Sequence, residues 1–288
     1  MLPHALPVKN DLLFKGIFKS EDLEPLVKFL SDVLGRPESD FLKLTFQQEE
    51  QRRRNARSRL GVLDIHVSTP DGLDVDVEVQ VLRDEAMPER ALFYCANMYQ
   101  EHIKRGDDFA VLSGIQVINI SVLGYNHFQD DRPHHTFMLQ ETTQHITLTD
   151  VLRIDFLELS KVPKINKGNI LNDLQAWILF FNATTEDKEL LEMLKSYNEP
   201  LKKAVLRFEE LTADEKIRAA AFQREREILA EKSRLYTAKK EGHMQGIQQG
   251  IQQGLALSAK KLLENGFSAE KTAELLGLSP EQMANLKQ

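Results

Sequence analysis

Few stretches limit the fold of this chain as tightly as residues 63–80, LDIHVSTPDGLDVDVEVQ. Valines at 75, 77 and 79 alternate with Asp74, Asp76 and Glu78, a period of two that predicts a half-buried strand with one acidic face. Pro70-Asp71-Gly72 is a strong turn signal, so the whole stretch reads as a β-hairpin. Antiparallel pairing across that turn brings Asp64 on the first arm toward Glu78 on the second, and Glu78 shares its face with Gln80. Two converging carboxylates and the backbone carbonyl of Val79 form an all-oxygen set suited to Mg²⁺. An ordinary solvated hairpin fits the same spacing.

Around the hairpin the pattern is mixed. NDLLFKGIFKSEDLEPLVKFLSDVL (10–34) predicts two short helices broken near Ser20, with Asn10 or Asp11 as the first cap. FLKLTF (41–46) predicts a short strand, and EAMPERALFYCANMYQEHIK (85–104) a helix. IQVINISVLG (115–124) is nearly continuous apolar sequence, as in a buried strand. TFMLQE and LRIDFLELS suggest two more strands. Helix dominates from Asn169 onward, with the single tryptophan, Trp177, as a core anchor. Gly242, Gly246, Gly250 and Gly254 recur every four residues. One helical face would carry all four and admit a close helix neighbour; a flexible hinge is the other reading. The tail, AKKLLENGFSAEKTAELLGLSPEQMANLK, predicts three short helices, with Ser268 and Ser279 as caps and Gly266 and Gly277 as stops.

Composition narrows the class. A hydrophobic fraction of 42% with 28% charged residues is that of a folded globular chain rather than a disordered one. No apolar run reaches the ~18 residues of a membrane span, and the N-terminus lacks the basic and apolar regions of a signal peptide. A single cysteine, Cys95, excludes an internal disulfide. These features predict a cytoplasmic protein. The formal net charge of −7 argues mildly against nucleic acid. Its distribution softens that objection: residues 1–160 hold 17 Lys and Arg against 26 Asp and Glu, and the rest hold 20 against 18. The acidic excess therefore sits with the hairpin, where bound cations would offset it.

Taken together, Asp–x13–Glu–x–Gln on a hairpin and a following helix with Arg90 and Tyr94 resemble the PD-(D/E)XK nuclease superfamily. More narrowly, the chain resembles the recombination-promoting nuclease / putative transposase family. KNDLLFKGIF, ERALFYCANMY, EGHMQGIQQGIQQG and ENGFSAEKTAELLGLSPEQM agree with that family, so the resemblance runs along nearly the whole chain. It implies an α/β, restriction-endonuclease-like core: a mixed sheet flanked by helices over residues 1–165. An all-helical C-terminal region would follow, comprising residues 166–241, a glycine-spaced helix or linker at 242–257, and a helix-turn-helix-like tail at 258–288. The implied activity is Mg²⁺- or Mn²⁺-dependent DNA endonuclease chemistry linked to recombination or mobile DNA.

On this sequence the resemblance makes Asp64 and Glu78 metal ligands, with Asp11 from the first helix as a further candidate. Gln80 stands where much of the superfamily has lysine. It offers neutral hydrogen bonds in place of a charge, enough to orient water but not to neutralise a transition state. Arg90 and Tyr94 share a helical face, where Arg90 could meet the scissile phosphate with Tyr94 in support. Asp76 is expected behind the ligands and Asp74 in solvent. Arg52, Arg53, Arg54, Arg57 and Arg59 form the dense basic patch, suited to DNA phosphates through the guanidinium fork or else a solvated loop. The eight histidines have no metal-ligand spacing and no assigned role. DNA is the expected partner, together with a second copy of the chain through the C-terminal helices. A non-catalytic DNA-binding or assembly protein on the same scaffold is the alternative, favoured by Gln80 and the acidic balance.

Overall fold

The computed structural model describes residues 5–47, 65–161, 172–279 and 282. It divides into two compact units, 1–228 and 229–288.

In the first unit, helix α1 (Asp11–Phe18) starts at Asn10, whose side-chain oxygen accepts from the amides of Leu12 and Leu13 at 3.2 and 3.4 Å. Asn10, not Asp11, is thus the cap. Helix α2 (Glu24–Leu34) has proline in its first turn and ends at Gly35 in the left-handed conformation, φ 65°. The predicted strand at 41–46 shrinks to β1 (Thr45–Phe46), because Phe41 belongs to a 3₁₀ turn, Glu38–Phe41, and is buried.

The hairpin forms as its turn dictates, with β2 (Ile65–Ser68) antiparallel to β3 (Leu73–Gln80). Gly72 takes φ 95°, where a Cβ would lie 3.0 Å from the Gly114 carbonyl oxygen. Glycine is therefore required at the turn. Next come α3 (Met87–Glu101) and β4 (Gln116–Leu123), the latter parallel to β3. Parallel neighbours need a crossover, and α3 supplies it. Strands β5 (His134–Gln140) and β6 (Thr147–Glu158) complete a six-stranded mixed sheet in the order β1-β2-β3-β4-β6-β5, with β6 parallel to β4 and β5 antiparallel to β6.

The two sheet faces differ. One carries Val75, Val77, Val79, Ile118, Ile120, Val122 and Leu157 into the main core with α1, α2 and three later helices. Those are α4 (Asp173–Asn182), α5 (Lys188–Lys195) and α6 (Glu199–Ala213). Trp177 anchors this core, its ring centroid 5.5 Å from that of Phe29 and 5.8 Å from that of Phe18. Its indole N–H donates to Asp32 at 2.8 Å, satisfying the one polar atom that burial would otherwise leave unpaired.

The other face is the acidic one, and α3 covers its central part through Met87, Ala91, Cys95 and Met98, which meet Leu123, Phe156 and Val117. Expectation and structure part here: β3 is buried on both sides, including Asp74, Asp76 and Glu78. The acids do not form a solvated outer face.

Helix α7 (Glu215–Glu264) runs for 50 residues and includes all four spaced glycines. In the second unit, 229–288, most of its side chains are exposed, Met244, Ile247 and Ile251 among them. Helix α8 (Ala269–Leu276) begins at the Ser268 cap and stops at Gly277, φ 63°. Beyond it, Ser279 and Gln282 exchange reciprocal capping bonds of 2.8 and 3.1 Å.

Candidate functional site

Register between β3 and β4 builds the site. Asp76 lies opposite Asn119 and Glu78 opposite Ser121. Parallel partners share a face, so two polar residues in an otherwise apolar strand meet two acids. Asn119 donates its amide to Asp76 at 3.2 Å, and Ser121 lies 2.7 Å from the Asn119 oxygen and 3.3 Å from Glu78 Oε1. All four residues are fully buried. Asp76, Asn119, Ser121 and Glu78 thus form one hydrogen-bonded row.

Helix α3 contributes the cation. Arg90 donates from Nη2 to Glu78 Oε2 at 3.1 Å and from Nη1 to Asp84 Oδ2 at 2.9 Å. A buried carboxylate needs such a partner, because unpaired burial costs several kcal/mol. Burial works against the charge of Arg90, but Glu78 and Asp84 outweigh it and hold the guanidinium firmly protonated. Tyr94, one turn on, places its ring centroid 5.9 Å from the guanidinium carbon, within cation–π range. Nearby, the Tyr125 hydroxyl donates to the Asp84 carbonyl at 3.3 Å, and burial pushes its pKa up to about 12. Gln80 is half-buried and its amide donates to the Leu82 carbonyl at 2.9 Å.

Of the residues singled out in the sequence, Glu78, Arg90 and Tyr94 come together. Asp11 is engaged elsewhere, its carboxylate accepting from Arg224 Nε of α7 at 2.6 Å. Asp64 and Arg52, Arg53, Arg54, Arg57 and Arg59 lie outside the described residues. Ile65, the residue after Asp64, pairs with Val77, the residue before Glu78.

Asp74 was expected in solvent and is instead 5% exposed. His66 Nε2 lies 2.5 Å from its Oδ1 and His102 Nε2 3.2 Å from its Oδ2. Burial alone would raise its pKa, but the two imidazoles outweigh burial and lower it. Histidines that had no assigned role thus pair with buried acids, and the same holds at the far side of the sheet. Asp155 is bracketed by His134 at 2.8 Å, Thr136 at 2.6 Å and Arg153 at 2.7 Å, which again overcome burial and lower its pKa.

Sequence reasoning missed Ser121, Asn119 and Asp84. The first two left a signal, since Asn and Ser at a spacing of two interrupt the apolar run 115–124. Asp84 left none, because its role comes from where α3 packs.

The donor chemistry fits a hard cation. Glu78, Asp76, Ser121 and Asn119 present carboxylate, hydroxyl and amide oxygens, the preference of Mg²⁺ and Mn²⁺. Among the described residues no three His, Cys, Asp or Glu side chains converge as a metal cage. Magnesium does not require one, being held commonly by one or two carboxylates with water and substrate.

One family model matches residues 8–238, that of the PD-(D/E)XK nuclease family transposases. No curated protein and no solved structure matches the chain.

Proposed function

The chain belongs to the PD-(D/E)XK nuclease family transposases, and on that premise we propose that it is a metal-dependent endonuclease hydrolysing DNA phosphodiesters. Such an activity would serve transposition or recombination in the cytoplasm. The observation that carries this reading is Glu78: a fully buried carboxylate in a row of oxygen donors, facing a guanidinium. Asp64 and Glu78 would hold Mg²⁺ or Mn²⁺, with Asp11 a further candidate only if it exchanges Arg224 for the cation. Bound there, the metal would acidify a water and neutralise phosphate charge.

The chain's own residues have separate tasks. Ser121 lies against Oε1 of the Glu78 carboxylate and Arg90 against Oε2, so the two orient the group that would hold the cation. Arg90 lies 3.1 Å from Glu78 Oε2 and can bind a phosphate through guanidinium N–H groups beyond the two it gives to Glu78 and Asp84. Tyr94 holds the guanidinium from its π face. Gln80 orients the attacking water by neutral hydrogen bonds. The arginines at 52, 53, 54, 57 and 59 would grip the DNA backbone, which makes binding salt-dependent. The exposed second unit would join two copies of the chain along its glycine-spaced helix.

Plasmid nicking in Mg²⁺ and in Mn²⁺ tests this directly. Wild type should nick, and Asp64→Ala and Glu78→Ala should each lose at least ~100-fold, the scale of lost transition-state charge stabilisation. Equal nicking by all three proteins sinks the assignment. A second reading, a non-catalytic DNA-binding scaffold, draws on Gln80, whose amide is engaged by its own loop at Leu82. DNA binding without cleavage in either metal would favour it.

A further inference from the structure

Arg90 bridges two carboxylates of different character. Glu78 is fully buried, whereas the Asp84 side chain is 28% exposed and the Arg90 side chain 26%. We propose that Arg90 is an internal counter-ion competing with a divalent cation for Glu78, and that Asp84 is the positioning residue that retains the guanidinium when Glu78 turns to the cation. This rests on the reading that Glu78 binds metal.

Without a cation, Arg90 offsets the charge of the buried Glu78 carboxylate, which is costly to bury without a counter-charge. With a cation at Oε2, the guanidinium a few ångströms away would face a like charge. The rigid five-donor fork allows a graded exchange: Nη2 gives up Glu78 while Nη1 keeps Asp84. Asp84 itself is fixed for that task, since its Oδ1 accepts from the Ala86 amide at 3.0 Å at the entrance to α3. Arg90 then stays beside the site with donors released from Glu78, facing the place where phosphate charge arrives. The same side chain therefore satisfies Glu78 in one state and becomes available to substrate in the other.

Calorimetric titration of the full chain with Mn²⁺ reads this without any cleavage assay. Arg90→Gln should bind Mn²⁺ roughly tenfold more tightly than wild type, and Asp84→Asn several-fold more weakly. The decisive protein is the double variant. If Asp84 acts through Arg90, it should titrate like Arg90→Gln alone, whereas direct field effects of the two charges would add. Additive shifts, or wild-type affinity in both single variants, overturn the proposal. Glu78→Gln separates it from the reading beneath: undiminished Mn²⁺ binding there overturns both, while its loss alongside unchanged single variants overturns this proposal alone. Should Arg90→Gln fail to fold by thermal melting, Arg90→Lys carries the test. A single ammonium lacks the two separate Nη arms and so cannot release Glu78 from one nitrogen while another keeps Asp84. Asp84→Asn should then shift Mn²⁺ affinity less than in wild type, and an equal shift overturns the proposal.

Discussion

His102, just past the end of α3, places Nε2 3.2 Å from Oδ2 of Asp74 near the start of β3. The contact ties the helix that carries Arg90 to the strand that carries Glu78, far from either. Because α3 is otherwise held by the Arg90–Glu78 bond and by Met87, Ala91, Cys95 and Met98 against β4 and β6, this bond is a polar restraint on its C-terminal end. His102→Ala should cost about 1 kcal/mol, the net worth of one partly exposed charge-assisted bond, read as a shift in urea midpoint. No shift would mean that the Arg90–Glu78 bond and apolar packing seat the helix without His102.

Acid should unfold the protein partly through Asp155. Its pKa lies below the ordinary ~3.9 of aspartate because His134, Arg153 and Thr136 outweigh burial. The sign follows from that depression: the contribution is complete above the unfolded-state value and disappears as pH falls through the lower folded-state value. Asp155→Asn should therefore be less stable at neutral pH and show a flatter stability profile below about pH 5. Urea unfolding across a pH series checks both, and an unchanged slope would remove Asp155 from the acid response.

Alanine at Gly72 should destabilise the hairpin. The residue sits at φ 95° and a Cβ there would lie 3.0 Å from a backbone oxygen that cannot swing away. A cost of about 1–3 kcal/mol is expected for non-glycine strain of this kind. Equilibrium unfolding gives the number; a change under 0.5 kcal/mol, the ordinary scatter of surface substitutions, would show that the turn relaxes.

Replacing Gly246 and Gly250 together by alanine separates helix stability from assembly. A Cβ at either meets nothing within 4 Å, so the isolated helix should gain roughly 0.8–1 kcal/mol per site. If the glycines serve close approach of a second copy, sedimentation should move toward the monomer even as helical circular dichroism holds or rises. Unchanged sedimentation would exclude the glycine stripe as an interface.

Several local rules read in the sequence hold in the structure. Proline, aspartate and glycine set the hairpin, period two sets which residues share a face, one of the two cap candidates, Asn10, caps α1, and Trp177 anchors the core. Each depends on neighbours within a few residues or on simple burial. The acids of β3 show where such rules stop. Alternation places Asp74, Asp76 and Glu78 together, but it does not say what lies over them. That depends on α3, which returns across the sheet only because β3 and β4 are parallel and need a crossover. The same packing brings Arg90 and Asp84 to Glu78 and His102 to Asp74, while strand register delivers Asn119 and Ser121 from more than forty residues away. By itself the sequence determined the hairpin and put forward Asp64 and Glu78 as its candidate carboxylates. Tertiary structure decided which acids are buried and which partners hold them, because burial and long-range pairing are properties of the assembled sheet and helix, not of any one segment.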